Sequence, residues 1–185
     1  MKQLTLQEAL AVVSRLKQGE SIPVVNIGGT EYFPRKTVKY LRGLSNEIEN
    51  TDLVLAKNSK EIGVRNIDKD QLDFPFMPTG VRMNFQDATA GLTAKSASYT
   101  SDAKPYWRNG EIKIAQDQVL AELPVSVLAN NYASTSNEDD FYPVAPFLIR
   151  PNKSFTIQTA LAGTAGADAF SLEIEGIEFV RNQRG

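Results

Sequence analysis

The hydrophobic period of this chain changes near residue 52. Before it, apolar residues recur at the 3.6-residue spacing of a helix; after it, they alternate. Val81, Met83 and Phe85 alternate with Arg82, Asn84 and Gln86, the pattern of a half-buried antiparallel strand. Ile112 and Ile114, then Val119, Ala121, Leu123, Val125 and Val127, continue it over two adjacent runs, with Pro124 marking an edge or bulge. Leu53 with Leu55, and Ile62 with Val64 and Ile67, predict two shorter strands around an Asn58-Ser59-Lys60 turn. Between them and Val81, residues 74–80 read as a turn-rich bridge whose prolines, Pro75 and Pro78, exclude central-strand pairing. Residues 87–110 are small and polar, as in a long exposed loop or weak edge strand. Short strands with frequent turns predict a mainly β chain, an antiparallel β-sandwich over residues 51–185.

Residues 1–50 read differently, as an N-terminal helical arm or subdomain. Thr5 and Glu8 have the spacing of a capping box, and Leu6, Ala9, Leu10, Val13 and Leu16 then share one helical face, with Gly19 placed to end it. A single apolar stripe means that this helix docks, on its own domain or on a neighbouring subunit. Residues 22–33 predict a short strand, a Gly28-Gly29 turn and a second extended piece. Those glycines lack the Lys-Ser/Thr and following helix of a phosphate loop. Pro34 opens a second predicted helix, with Val38, Leu41, Leu44 and Ile48 on one face and Arg35, Lys36, Lys39 and Arg42 making its start basic. Such cations form a solvated face or touch phosphates and lipid head groups at a membrane surface.

Composition narrows the chemistry. The 185 residues include no His and no Cys, which closes imidazole acid–base catalysis, thiolate nucleophiles and zinc sites built on either residue. Paired carboxylates, Lys, Tyr or a magnesium site remain open. Asp117 and Glu122 are candidates for a carboxylate pair because they fall on predicted sheet. Glu138-Asp139-Asp140 is the dense acidic cluster, suited to a hard cation such as calcium or to a solvated loop, and it lacks the spacing of a wrapping calcium loop. A net charge of −2 supplies no field to gather nucleic acid. No apolar run reaches the roughly 20 residues of a membrane span, and the N-terminus has no secretory apolar core. Trp107, beside Tyr106 and Arg108 and just before Asn109-Gly110, is either a stacking platform for sugar or protein or a cap on the core at a sheet corner. The expectation is a non-enzymatic chain without cofactors.

The C-terminal body adds a resemblance. It runs Phe147-Leu148-Ile149-Arg150-Pro151-Asn152-Lys153-Ser154-Phe155-Thr156-Ile157, a small-residue loop over 162–167, and a last strand with Phe170, Leu172 and Ile174 on one face. Gly176 reads there as a bulge that resets the phase, so that Ile177 and Phe179 resume the apolar face and Glu173, Glu175 and Glu178 line the outer one. This succession resembles the closing strands of jelly-roll capsid proteins of tailless icosahedral bacteriophages. The resemblance implies a single jelly roll and a virion structural protein, made in the host cytoplasm, that assembles with copies of itself and other virion proteins. It carries no site residues. An N-terminal helix suits an arm in such a shell, with Leu6, Leu10, Val13 and Leu16 packed across a subunit boundary or on the sandwich flank. The alternatives are a carbohydrate- or receptor-binding sandwich using Tyr106 and Trp107, and a carboxylate-based hydrolase.

Overall fold

The computed structural model describes residues 4–18, 24–27, 30–48, 52–129 and 141–181. The chain is mainly β with antiparallel sheets, one of them curled as a half-barrel, and it begins with a helix. Helix α1 is Leu6–Lys17, and the strands are β1 (Val25–Ile27), β2 (Thr30–Leu44), β3 (Phe76–Gln86), β4 (Glu111–Ala115), β5 (Val119–Pro124), β6 (Tyr142–Pro143), β7 (Thr156–Ala160) and β8 (Ala169–Arg181). Single helical turns, α2 (Pro105–Arg108) and α3 (Val125–Leu128), bracket the β4–β5 hairpin. A five-stranded sheet has the order β1-β2-β8-β3-β6, and a three-stranded sheet the order β5-β4-β7.

The main core lies between the two sheets. Leu41 of β2, Val81, Met83 and Phe85 of β3, and Phe170, Leu172 and Ile174 of β8 meet Ile112, Ile114 and Ile157 from the smaller sheet. The expected alternation of β3 and β8 places these side chains on one face. A second, smaller cluster lies on the opposite face of the large sheet, where Ala9, Val12 and Val13 of α1 cover Tyr32, Met77 and Phe179.

Of the segment 34–48, predicted helical, residues 34–44 are strand instead. β2 pairs with β8 without interruption from Tyr32 opposite Arg181 to Leu44 opposite Ala169. Thr30, Tyr32, Phe33, Thr37, Val38 and Tyr40 suit a pleated surface, and a long neighbouring strand outweighs the helical spacing of Val38, Leu41 and Leu44. Residues 30–44 thus share a sheet with the C-terminal strand. A short 3-10 turn, Ser45–Glu47, follows.

Five further expectations differ. Gly176 makes no bulge: β8 keeps its phase against β2, and the irregularity falls on β3 between Pro78 and Gly80. The buried side changes instead. Ile174 faces the main core, whereas Ile177 and Phe179 face α1. β3 begins at Phe76 and runs through Pro78, where the bulge relieves the missing donor. Residues 52–75 are turns and isolated bridges without a strand of their own, although Asp52 bridges Gln158 and the Leu53 amide donates to the Ile157 carbonyl at 2.8 Å. Val125 and Val127 lie in the turn of α3, and Phe147-Leu148-Ile149 is joined to β3 by a single bridge, Phe76 to Ile149. Gly19 and Gly28-Gly29 lie outside the described residues.

Candidate functional site

The outer face of the large sheet collects most of the unusual side-chain arrangements. α1 covers one end of it. Its first turn is closed by the predicted capping box: the Glu8 amide donates to Thr5 Oγ1 at 3.3 Å, and the Thr5 amide to Glu8 Oε2 at 2.9 Å. The residues that dock are Ala9, Val12 and Val13, with Leu10 and Leu16 partly buried beside them. Leu6 was expected on that face but points to its rim, 37% exposed. The helix therefore docks on its own chain, over Tyr32, Met77 and Phe179.

The other end of this face carries a layer of arginines, tyrosines and acids. The Arg42 guanidinium lies over the rings of Tyr40, at 5.0 Å, and Tyr99, at 5.3 Å. Glu173 accepts from Arg82 Nε at 2.8 Å and lies 3.6 Å from Arg42, while the Arg82 guanidinium covers Phe141 at 4.4 Å. Tyr99 adopts a left-handed backbone, φ 56°, and its hydroxyl donates to the Ala94 carbonyl at 2.6 Å, which pins the 93–101 loop over the sheet. Burial, helped by the charge of Glu173 and opposed by Arg42, pushes the Tyr99 phenol up to about 12.

Between helix and arginine layer the face opens into a cleft of about 670 Å³. Val13, Leu16 and Phe141 stand at its walls, and Pro34, Ile177 and the Lys36–Glu175 ion pair (3.2 Å) lie on its floor. Gly80 keeps it open beneath Phe141, whose Cβ would be 2.6 Å from a Cβ added there. A second groove, about 650 Å³, runs past the other end of α1, with Leu4, Leu6, Val119, Phe147 and Leu148 among its lining.

The cations Arg35, Lys36, Lys39 and Arg42, expected together on one helix face, are divided between the two faces of β2. Lys36 and Arg42 turn outward to Glu175 and Glu173. Arg35 and Lys39 turn inward to Glu178, which is 3% exposed; Lys39 Nζ donates to its carboxylate at 2.6 Å, and Arg35 closes the pair. Burial pushes the Glu178 carboxyl up, but hydrogen bonds and charge from Lys39 and Arg35 outweigh it and hold the group below its ordinary value. Glu178 is thus a core-facing residue and not part of the outer acidic face. The spacing of the acids in β8 was the signal that could have revealed this: Glu173 and Glu175 are two apart and share a face, whereas Glu178, three further on, falls on the opposite one.

Trp107 and Tyr106 lie apart from the cleft. Trp107 is wholly buried, its ring 5.6 Å from Phe85 and 5.2 Å from Phe170, and its Nε1 donates to Ser45 Oγ at 2.8 Å. It caps the core, so the reading as an exposed stacking platform is corrected, because the only Trp on the chain fills the space between α2 and the large sheet. The Tyr106 hydroxyl donates to the Asp168 carboxylate, which also accepts from the Ala88 amide at 3.0 Å. Burial and this hydrogen bond raise the Tyr106 phenol above its ordinary value. Asp117 sits in the β4–β5 turn with Lys153 and Arg150, and Glu122 of β5 pairs with Lys113 at 2.8 Å. Glu138-Asp139-Asp140 lies outside the described residues. Among the described residues no group of three or more acidic side chains is placed to hold a metal ion, and no helix is long and apolar enough to cross a membrane. No protein-family model, curated protein or solved structure matches this chain.

Proposed function

We propose that the chain is a single jelly roll and a non-enzymatic structural subunit that self-assembles, in a bacteriophage capsid or another virion shell, with copies of itself and other virion proteins as its partners. The observation that carries this reading is nested strand pairing. Leaving β1 aside and giving the segment at Asp52, which is joined to β7 by a single bridge, the second of eight places, the first pairs with the eighth (β2, β8) and the second touches the seventh (Asp52, β7). The third pairs with the sixth (β3, β6) and the fourth with the fifth (β4, β5). That order is a long hairpin folded over on itself, whose halves make two sheets through β8–β3 and β7–β4.

Jelly rolls serve in viral shells and also in lectins, so the strand order supports the fold and the surface must support the role. With Trp107 inside the core, the aromatic platform of a sugar-binding site is lost. The helix-covered outer face with its two grooves offers instead extended, partly apolar surface of the kind subunits use for lateral contact. The test is the native mass of the purified chain by light scattering, with negative-stain imaging of the same sample. Trimers, pentamers, sheets or shells are expected. A clean 20.4 kDa monomer at high concentration would count against a self-assembling subunit.

A further inference from the structure

Of the twelve glycines in the chain, only Gly110 follows an asparagine. With no Cβ on the following residue, the main-chain nitrogen after an asparagine is unhindered and can reach that asparagine's own side-chain carbonyl. An Asn-Gly step is therefore chemically labile wherever its backbone is free to turn. The fold treats the two residues differently. Asn109 caps the end of α2, exposed to solvent, and its side chain makes no hydrogen bond among the described residues. Gly110 is buried and bonded on both sides: its amide donates to the Trp107 carbonyl at 2.8 Å, and its carbonyl accepts from the Val125 amide at 2.9 Å. The turn before it is tied down as well, since the Asn109 amide donates to the Pro105 carbonyl at 3.0 Å and the Tyr106 carbonyl accepts from the Ala162 amide at 2.9 Å. Only glycine fits at 110, because an added Cβ would lie 2.6 Å from the Ala160 carbonyl oxygen. Packing thus demands the residue that makes the step labile, and the same packing holds the reactive nitrogen back.

We propose that Asn109 is a site of spontaneous covalent modification, its side-chain amide converting to aspartate and isoaspartate, and that the α2 turn controls the reaction. Opening of α2 frees the Gly110 nitrogen from the Trp107 carbonyl. That nitrogen, giving up its proton, attacks Asn109 Cγ. The N–Cγ bond forms, the Cγ–Nδ2 bond breaks, and Nδ2 leaves as ammonia with the proton. Water then opens the cyclic imide. Attack at Cγ restores the ordinary main chain with an aspartate side chain. Attack at the Asn109 main-chain carbonyl leaves an isoaspartate, whose main chain runs through Cγ and is longer by a methylene. The longer link cannot keep the Gly110 bonds to both Trp107 and Val125 while Gly110 stays against Ala160, so the isoaspartate product loosens the corner that seats Trp107. The aspartate product keeps the geometry and adds a negative charge at an exposed position. This chemistry does not depend on the chain's role as a subunit.

The test incubates the full chain at mildly alkaline pH, folded in buffer or unfolded in guanidinium chloride. Peptide mass spectrometry follows the amide-to-acid conversion at each asparagine, and an isoaspartyl methyltransferase marks the isoaspartate fraction. In the unfolded chain Asn109 is expected to convert first, and faster as pH rises, because the attacking nitrogen must lose its proton. In the folded chain the same conversion is expected to be at least roughly tenfold slower, since only molecules with α2 open react. Ser45→Ala, which removes the acceptor of the Trp107 indole N–H, is expected to speed conversion several-fold in the folded chain and to leave the unfolded rate unchanged. Conversion of another asparagine ahead of Asn109 in the unfolded chain would overturn the site. Equal folded and unfolded rates at Asn109 would overturn the control by α2. So would a Ser45→Ala chain, intact by circular dichroism, that converts no faster than the native one.

Discussion

Individual positions in this fold are held by unusually close constraints. At Gly176 an added Cβ would lie 2.3 Å from the Met77 carbonyl oxygen and 2.7 Å from the Phe76 ring, so one residue of β8 must have no side chain for β3 to cross beside it. Gly176→Ala is expected to cost about 3 kcal/mol, measured by urea denaturation, because backbone and a buried ring cannot both retreat. Trp107→Ala should cost about 4 kcal/mol on the same scale, whereas Ser45→Ala, which strands the indole N–H, should cost about 1–2 kcal/mol. Glu178 has a pH signature. Its carboxyl titrates near 4.5 when unfolded and lower when folded, so its contribution is complete above that value and is lost as pH falls through the depressed native one. Glu178→Gln should therefore lower stability at neutral pH by about 3 kcal/mol, leaving the half-buried Lys39 without its carboxylate, and should flatten the acid limb of the stability curve below about pH 4.5. An acid limb identical to that of the native chain would show that Glu178 is not the titrating group.

Among the elements, α1 is the most separable. Its contacts form a cluster of their own, on the opposite face of the large sheet from the main core. Val13→Asp should abolish hydrogen-exchange protection across residues 6–17 while the fluorescence of the buried Trp107 keeps its native spectrum. Loss of both signals together would mean that helix and sheets unfold as one unit. β2 behaves in the opposite way. It was read as a helix because Val38, Leu41, Leu44 and Ile48 recur at helical intervals, and nothing local contradicts that spacing strongly enough. The deciding partner is remote: β8 supplies the ladder and the acids that neutralise both faces of β2. α1, β4 and the 81–86 part of β3 were legible because capping chemistry and strict alternation are local signals, and β8 was legible as a strand though not in its phase past Gly176. The segment 52–75 was not, since alternating leucines and isoleucines can be buried by turns as well as by strands.

For the whole molecule, the pairing of β2 with β8 ties the two ends of the chain into one sheet. A fragment spanning residues 51–185 would leave β8 without its longest neighbour, exposing a hydrogen-bonding edge. Such a fragment is expected to aggregate or to lack near-ultraviolet circular dichroism, and a stable, soluble fragment would show that β2 is dispensable. Pairs so distant in sequence also carry a large loop-closure cost, so folding is expected on the millisecond-to-second scale, read by the fluorescence of Trp107. The cleft beside α1 was the least legible feature. Val13 and Leu16 could be named from the helix, but Phe141, Lys36 and Glu175 reach the same cleft from separate strands and loops, and no spacing connects them.

What the sequence determined by itself is the local grammar: a capped N-terminal helix with one apolar stripe, alternating strands in the C-terminal body, and the absence of imidazole and thiol chemistry. Those follow from side-chain type and period, which act within a few residues. The tertiary structure decided which face of each strand is inside, the strand state of residues 34–44, the burial of Trp107 and Glu178, and the meeting of helix, sheet and Phe141 around a cleft. These depend on pairings across more than a hundred residues, as between Arg35 and Glu178, and only the closed chain brings such partners within hydrogen-bonding distance.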